Sequence, residues 1–130
     1  SLGAVTVKAG WEQLEGNGVS ALQTPLATLH AFNGWADKFL STPANGLRDL
    51  YADVAVKLPA VGSIKGASAR LQYHDYNSTW GGLNYGSELG AMLAVPIDKH
   101  LIATLKFARY NADDFATDTA KFWFSLDLKL

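Results

Sequence analysis

The stretch Ala120, Phe122, Phe124, Leu126, Leu128, Leu130 is interleaved with Lys121, Trp123, Ser125, Asp127 and Lys129. A period of two places those sets on opposite faces of one β-strand, one oily and one wet. This pattern dictates sheet rather than helix, and it recurs along the chain.

A first strand is expected over 4–14, with Val5, Val7, Ala9 and Trp11 opposing Thr6, Lys8, Gly10 and Glu12. A second, over 48–58, sets Leu50, Ala52, Val54 and Val56 against Asp49, Tyr51, Asp53 and Lys57, and Pro59 ends it for want of a ladder N–H. A third, 64–76, opposes Ala67, Ala69, Leu71 and Tyr73 to Ser68, Arg70, Gln72 and His74. A fourth, 85–95, opposes Leu89, Ala91, Leu93 and Val95 to Glu88, Gly90, Met92 and Ala94. A fifth, 101–110, opposes Ala103, Leu105 and Phe107 to Thr104, Lys106, Ala108 and Tyr110. Each has the roughly ten residues that a tilted strand needs to cross a bilayer.

The connections carry separate information. Residues 59–63 and 96–99 read as short turns, whereas 15–47, 77–84 and 111–118 are longer, so an antiparallel meander would collect tight turns at one end and long loops at the other. Bacterial membrane barrels segregate their loops in this way. In the longest loop Thr24 can cap a helix that starts at Pro25 and runs over 26–32, with Asn33-Gly34 as its stop. Leu26, Leu29, Phe32, Trp35, Phe39 and Leu40 give this loop apolar surface that must be buried, either folded into a pore or packed on the sheet edge as a lid.

A chain of 130 residues makes one domain, 1–130, with no room for two. Its net charge of −1 offers no electrostatic footprint for nucleic acid. The absence of Cys removes disulfides, thiol catalysis and Cys-based zinc sites. No apolar run approaches the roughly 18 residues of a membrane helix, and the segment Ser1-Leu2-Gly3-Ala4 lacks the features of a signal peptide. Spanning strands leave no such run, because they show only alternation. A soluble β-sandwich has the same composition.

The run from Leu22 through Gln23-Thr24-Pro25-Leu26-Ala27-Thr28-Leu29-His30-Ala31-Phe32-Asn33-Gly34-Trp35-Ala36-Asp37-Lys38-Phe39 resembles the hallmark segment of alginate-export-type outer-membrane porins of proteobacteria, and Thr42-Pro43-Ala44-Asn45-Gly46-Leu47-Arg48-Asp49 continues it. Asp98-Lys99-His100, Lys106-Phe107-Ala108-Arg109-Tyr110 and Lys121-Phe122-Trp123 are similar to that family's C-terminal region. The resemblance implies the C-terminal part of a barrel in the bacterial outer membrane, with the lipid bilayer and the barrel-assembly machinery as partners. It also implies that the terminal strand carries the outward-facing assembly signal. Six strands are fewer than the eight or so of the smallest bacterial barrels. The sheet is therefore expected to be part of a larger wall, to self-associate through its open edges, or to cover those edges otherwise.

On the lumen face of such a barrel, Arg70, Lys106 and Lys121 lie near mid-strand and are the expected contacts of an anionic solute, because fixed cations replace hydration through many weak contacts. Glu88 is a further candidate solute contact on that face; the alternative is a wet face paired across strands, with Glu88 satisfying a basic neighbour. Trp123 points there too, where an indole is a stacking platform for a sugar. Phe32, Trp35, Asp37 and Lys38 are the expected constriction-loop residues. Trp11, Tyr73, Tyr76, Trp80, Tyr85, Tyr110 and Phe122 fall towards strand ends and are expected to form interfacial girdles.

His74 stands beside Asp75, His100 near Asp98 and His30 before Asp37. An Asp/His pair can activate water, but adjacent strand residues face opposite ways, so His74 and Asp75 cannot cooperate. No nucleophile elbow, paired metal-spaced His or phosphate loop accompanies them, and no catalysis, cofactor or bound metal is expected. Asn111, Asp113, Asp114 and Asp118 could ligate Ca²⁺ but lack EF-hand spacing, and read as a solvated acidic loop. The expected fold is all-β: an antiparallel up-and-down meander of about six strands with one long, partly helical loop. The expected function is passive passage of an anionic or sugar-like solute such as an alginate-type polysaccharide. The alternative is a small soluble β-barrel, either a ligand-binding module or an Asp/His hydrolase.

Overall fold

The computed structural model describes residues 4–24, 29–62 and 64–129. Its strands are β1 (Val5–Leu14), β2 (Leu47–Lys57), β3 (Ser68–Asn77), β4 (Asn84–Pro96), β5 (Leu101–Ala112) and β6 (Thr119–Leu128), joined in one sheet in sequence order, every pair antiparallel. This is the meander that the alternation dictates. Among the described residues the sheet is open, with β1 and β6 as its edges.

Register sorts the side chains into two faces. Lys8, Asp53, Gln72, Gly90, Ala108 and Lys121 form one cross-strand row, and Ala55, Arg70, Met92, Lys106 and Trp123 the next, all on the polar face. On the opposite face Val7, Val54, Leu71, Ala91, Phe107 and Phe122 make a single apolar row across all six strands.

The two faces are covered in the reverse of the soluble pattern. Loop residues 30–39 fold back across the polar face, so that Asn33, Trp35, Ala36 and Phe39 are buried there, as are Asp49, Gln72, His74, Tyr76 and Glu88 beneath them. The apolar face is bare: Val7 is 68% exposed, Phe122 67%, Phe124 60% and Leu71 56%. Soluble antiparallel sheets keep the oily face in and the polar face out.

The core under the loop is aromatic. Phe39 packs on Tyr76 with ring centres 4.4 Å apart and stacks on Phe115 at 5.4 Å, and Leu14, Leu47, Tyr85 and Tyr110 complete the cluster. Each fully buried large apolar side chain contributes roughly 1.5–3 kcal/mol. The phenol groups keep partners: Tyr76 donates to the Asn33 carbonyl at 3.0 Å, Tyr85 to the Gly46 carbonyl at 2.9 Å and Tyr110 to the Phe115 carbonyl at 3.0 Å. These three tyrosines therefore do not belong to an interfacial girdle. Tyr76 and Tyr110 lie on the polar face by parity, and Tyr85 joins them because the β3–β4 register slips beside Tyr76 and Asn77, where Gly86 takes φ 108°. Trp11, Tyr73, Trp80 and Phe122 remain exposed.

Other expectations need correction at the connections. β3 begins at Ser68, and residues 58–67 form a longer link than 78–83 or 113–118, so lengths do not segregate cleanly by end. The link is a continuation of the hairpin: Leu58 donates to the Ala67 carbonyl at 2.8 Å, and Val61 and Ile64 exchange bonds of 3.0 and 3.1 Å. In the long loop the expected helix lies largely outside the described residues, and its end is a short 3₁₀ segment, Leu29–Ala31. The loop packs on the polar face rather than on the sheet edge as a lid. Its base is tied to the 78–83 turn by Thr79 and Trp80, whose N–H groups both reach the Asn45 carbonyl at 3.0 Å.

Candidate functional site

The loop segment 30–39 and the polar rows beneath it form the site. Glu88, 1% exposed, is its fixed point: one carboxylate oxygen accepts the Trp35 N–H at 2.5 Å and the Ala36 N–H at 3.0 Å. The expectation of a basic neighbour for Glu88 is thus corrected, because a loop backbone takes that place and shields the carboxylate from any solute. The approach depends on Gly34, whose φ is 88° and where a Cβ would stand 2.5 Å from the other Glu88 oxygen. It also depends on Gly90, which leaves room for the Trp35 ring.

Around Trp35 the expected residues converge. Lys106 Nζ lies 4.9 Å from the Trp35 ring centre and 4.7 Å from that of Trp123, held between two indoles, and the Arg70 guanidinium is 5.7 Å from Trp35. Asp37 accepts from Lys121 Nζ at 2.7 Å and from His30 Nδ1, while His30 Nε2 faces Lys106 Nζ at 2.6 Å. Burial raises the Asp37 carboxyl, but the hydrogen bonds and charges of Lys121 and His30 outweigh it and hold the group below the usual carboxylate range. Lys38 sits 5.6 Å above the Tyr110 ring. Arg70 donates to Asp53 through Nε at 2.8 Å, and Gln72 donates to the same oxygen at 3.1 Å. Two of the three expected cations are therefore paired with carboxylates.

Beside the loop tip a cleft of about 410 Å³ opens over β1–β3, lined among others by Lys8, Phe32, Tyr51, Arg70 and His74. Phe32 stands 61% exposed at its rim. The buried His74 bonds through Nδ1 to both oxygens of Asp49, at 2.9 and 3.0 Å. This pair was hidden in the sequence because its members are a diagonal cross-strand couple, legible only once register is known. Asn33 was likewise missed: its Nδ2 donates to Glu12 at 2.7 Å and reaches Asp49 at 3.4 Å.

The remaining polar clusters serve the turns. Asp98 caps the N–H groups of His100 and Leu101 at 2.6 and 3.0 Å. Asp118 accepts from the Ala112 N–H at 2.8 Å, and Asp114 accepts from the Asn84 N–H at 3.1 Å. Among the described residues, no group of three His, Asp or Glu side chains is gathered to hold a metal ion.

Chemically, the site offers stacking faces, cations spread over indoles and neutralising carboxylates, which suit repeated weak contact. The fold and site together define an antiparallel meander whose polar face is roofed by its own loop. In comparisons with protein-family models, curated proteins and solved structures, nothing matches this chain.

Proposed function

We propose that this chain is a wall segment of an outer-membrane β-barrel porin, with residues 15–46 folded inward as its constriction, passing an anionic or sugar-like solute without chemistry. One observation carries the reading: the wettable face is roofed while the oily face is bare. In water this arrangement wastes the hydrophobic effect. Against lipid it is the required one.

The dimensions support it. From Ala120 to Leu128 the apolar set of β6 extends about 27 Å along the strand at ~3.4 Å per residue. At a tilt of ~40° that is about 21 Å along a membrane normal, near the apolar band of about 25 Å on known barrels. Arg109, the exposed cross-strand partner of Ala120, marks the loop-end border of the band, and Asp75, Ser87 and Asn111 follow in the next row of that face. On the other face, the pairing of Arg70 and Lys121 with carboxylates leaves a weakly charged passage with Trp123 on its wall. A solute there exchanges many shallow contacts rather than binding once. The bilayer is the partner of the bare face, and the barrel-assembly machinery would insert it.

Single-tryptophan variants test this in vesicles of lipids brominated high on the acyl chain. Trp11, exposed on the apolar face, should be quenched, while Trp35, buried beneath the loop, should not. A chain that stays monomeric in plain buffer without detergent, with Trp11 unquenched, refutes the membrane reading. That result would favour the rival soluble ligand-binding module, for which the cleft over β1–β3 is the supporting feature.

A further inference from the structure

Within the loop tip, residues 30–37 meet the wall through two sets of groups. Residues 33–36 are pinned by Glu88 to the Trp35 and Ala36 N–H groups, by Tyr76 to the Asn33 carbonyl, and by Glu12 to the Asn33 amide, and burial raises the Glu88 carboxyl above the usual carboxylate range. The preceding end is fastened through His30 alone among the described side chains of residues 29–32. We propose that His30 is a proton-operated latch, closing this end of the loop on β5 and β6 when neutral and releasing it when protonated.

The geometry fixes the tautomer. Lys106, a donor, approaches Nε2 at 2.6 Å, so Nε2 must be the bare nitrogen and Nδ1–H must donate to Asp37. A proton arriving at Nε2 removes the acceptor that Lys106 uses and sets two cations against each other. It also strengthens the bond from His30 to Asp37, but that bond joins two loop residues and holds nothing to the wall. Asp37, now facing a full positive charge on its own loop, pulls less on Lys121 of β6, its other partner. Both links from loop to wall weaken together.

Every charged group facing the imidazole enters this balance. Lys106 on β5 and Asp37 on the loop touch it, Lys121 on β6 shares Asp37 with it, and Arg70 on β3 and Glu88 on β4 stand in the same cluster around Lys106. Asp37 shares its oxygens with Lys121, and Glu88 is committed to backbone N–H groups. The Trp123 and His30 rings meet edge to face at 6.0 Å, and the imidazole stays 37% exposed to the medium. Release would uncover Lys106, Lys121 and Trp123. In the porin reading, on which this consequence rests, the passage widens and becomes more cationic as the medium acidifies.

The absence of Cys makes spin labelling clean. Ala31→Cys and Ser125→Cys, both exposed, place one nitroxide on the loop end and one on β6. In the full chain in vesicles, pulsed dipolar spectroscopy should give one short distance near pH 8 and a longer, broader distribution by about pH 5, the interval over which imidazole changes charge. His30→Gln, which still accepts from Lys106 and donates to Asp37 without titrating, should keep the short distance throughout. His30→Lys should show the long distribution even near pH 8. The proposal is overturned if the wild-type distance holds still over that interval, or if His30→Gln opens as the wild type does. Label movement without ion conductance would instead sink the porin reading and leave the latch standing.

Discussion

Gly90→Ala is the smallest change that should disturb the roof without touching the oily face. A Cβ on Gly90 would stand 2.8 Å from Cε3 and 3.0 Å from Cζ3 of Trp35, where carbon atoms rest at about 3.5–4.0 Å. The indole must therefore retreat by about 1 Å. It has little freedom to do so: the Trp35 N–H is held at 2.5 Å by Glu88, and Lys106 lies over the ring at 4.9 Å. Overpacking of this kind costs roughly 1–3 kcal/mol. At ~1.4 kcal/mol per tenfold, the loop should open about 5 to 150 times more often. Native-state hydrogen exchange at the Trp35 and Ala36 amides reads this directly, since both point at Glu88. Ala91→Val is the control, because the next residue faces the other way and should leave those amides unchanged. If Gly90→Ala leaves their exchange unaltered, or Ala91→Val accelerates it as much, the assignment of faces is wrong.

Glu88→Ala would strand the two buried N–H groups of Trp35 and Ala36, at about 1–3 kcal/mol each, and the same exchange measurement should show the loop undocked while circular dichroism keeps the sheet. Leu71→Arg, in mid-band, should cost about 2–4 kcal/mol in refolding titrations into vesicles, whereas Leu128→Lys at the band's edge should cost ~0–1 kcal/mol; equal costs would contradict the placement of the band. The Asp37 carboxyl is held below its ordinary value, so its contribution to stability is complete above the unfolded carboxyl pKa of about 3.9 and is lost as pH falls through the lower folded value. Denaturant midpoints should accordingly fall more steeply on acidification below about pH 4 in the wild type than in Asp37→Asn, and identical slopes would remove Asp37 from the loop's fastening.

The alternation made all six strands and their facing legible, because a period of two needs no knowledge of neighbours. It failed where the backbone departs from regularity. Tyr85 reads as outward by parity, yet the slip at Gly86 turns it into the core, and Gly66, at φ 79°, precedes the late start of β3. The site was half legible. Arg70, Lys106, Lys121 and Trp123 were found because they share the wet face, and Trp35 and Asp37 because the loop's apolar surface had to be buried somewhere. The partner of Glu88 was not, since it accepts from backbone N–H groups more than fifty positions away and no side-chain pattern marks them. The same holds for His74 and Asp49, whose meeting depends on the β2–β3 register.

Each ladder joins strands adjacent in sequence, so from β2 onward each strand can pair with the one just before it. The loop between β1 and β2 breaks this economy. Its holdfasts are distributed over later strands: Tyr76 on β3, Glu88 on β4, Lys106 on β5 and Lys121 on β6. Although the loop precedes β2 to β6 in the chain, it cannot complete its seating until β6 has arrived. Closure of the roof therefore reports that β3 to β6 are in place, and a chain interrupted before β6 should leave its polar face unsealed.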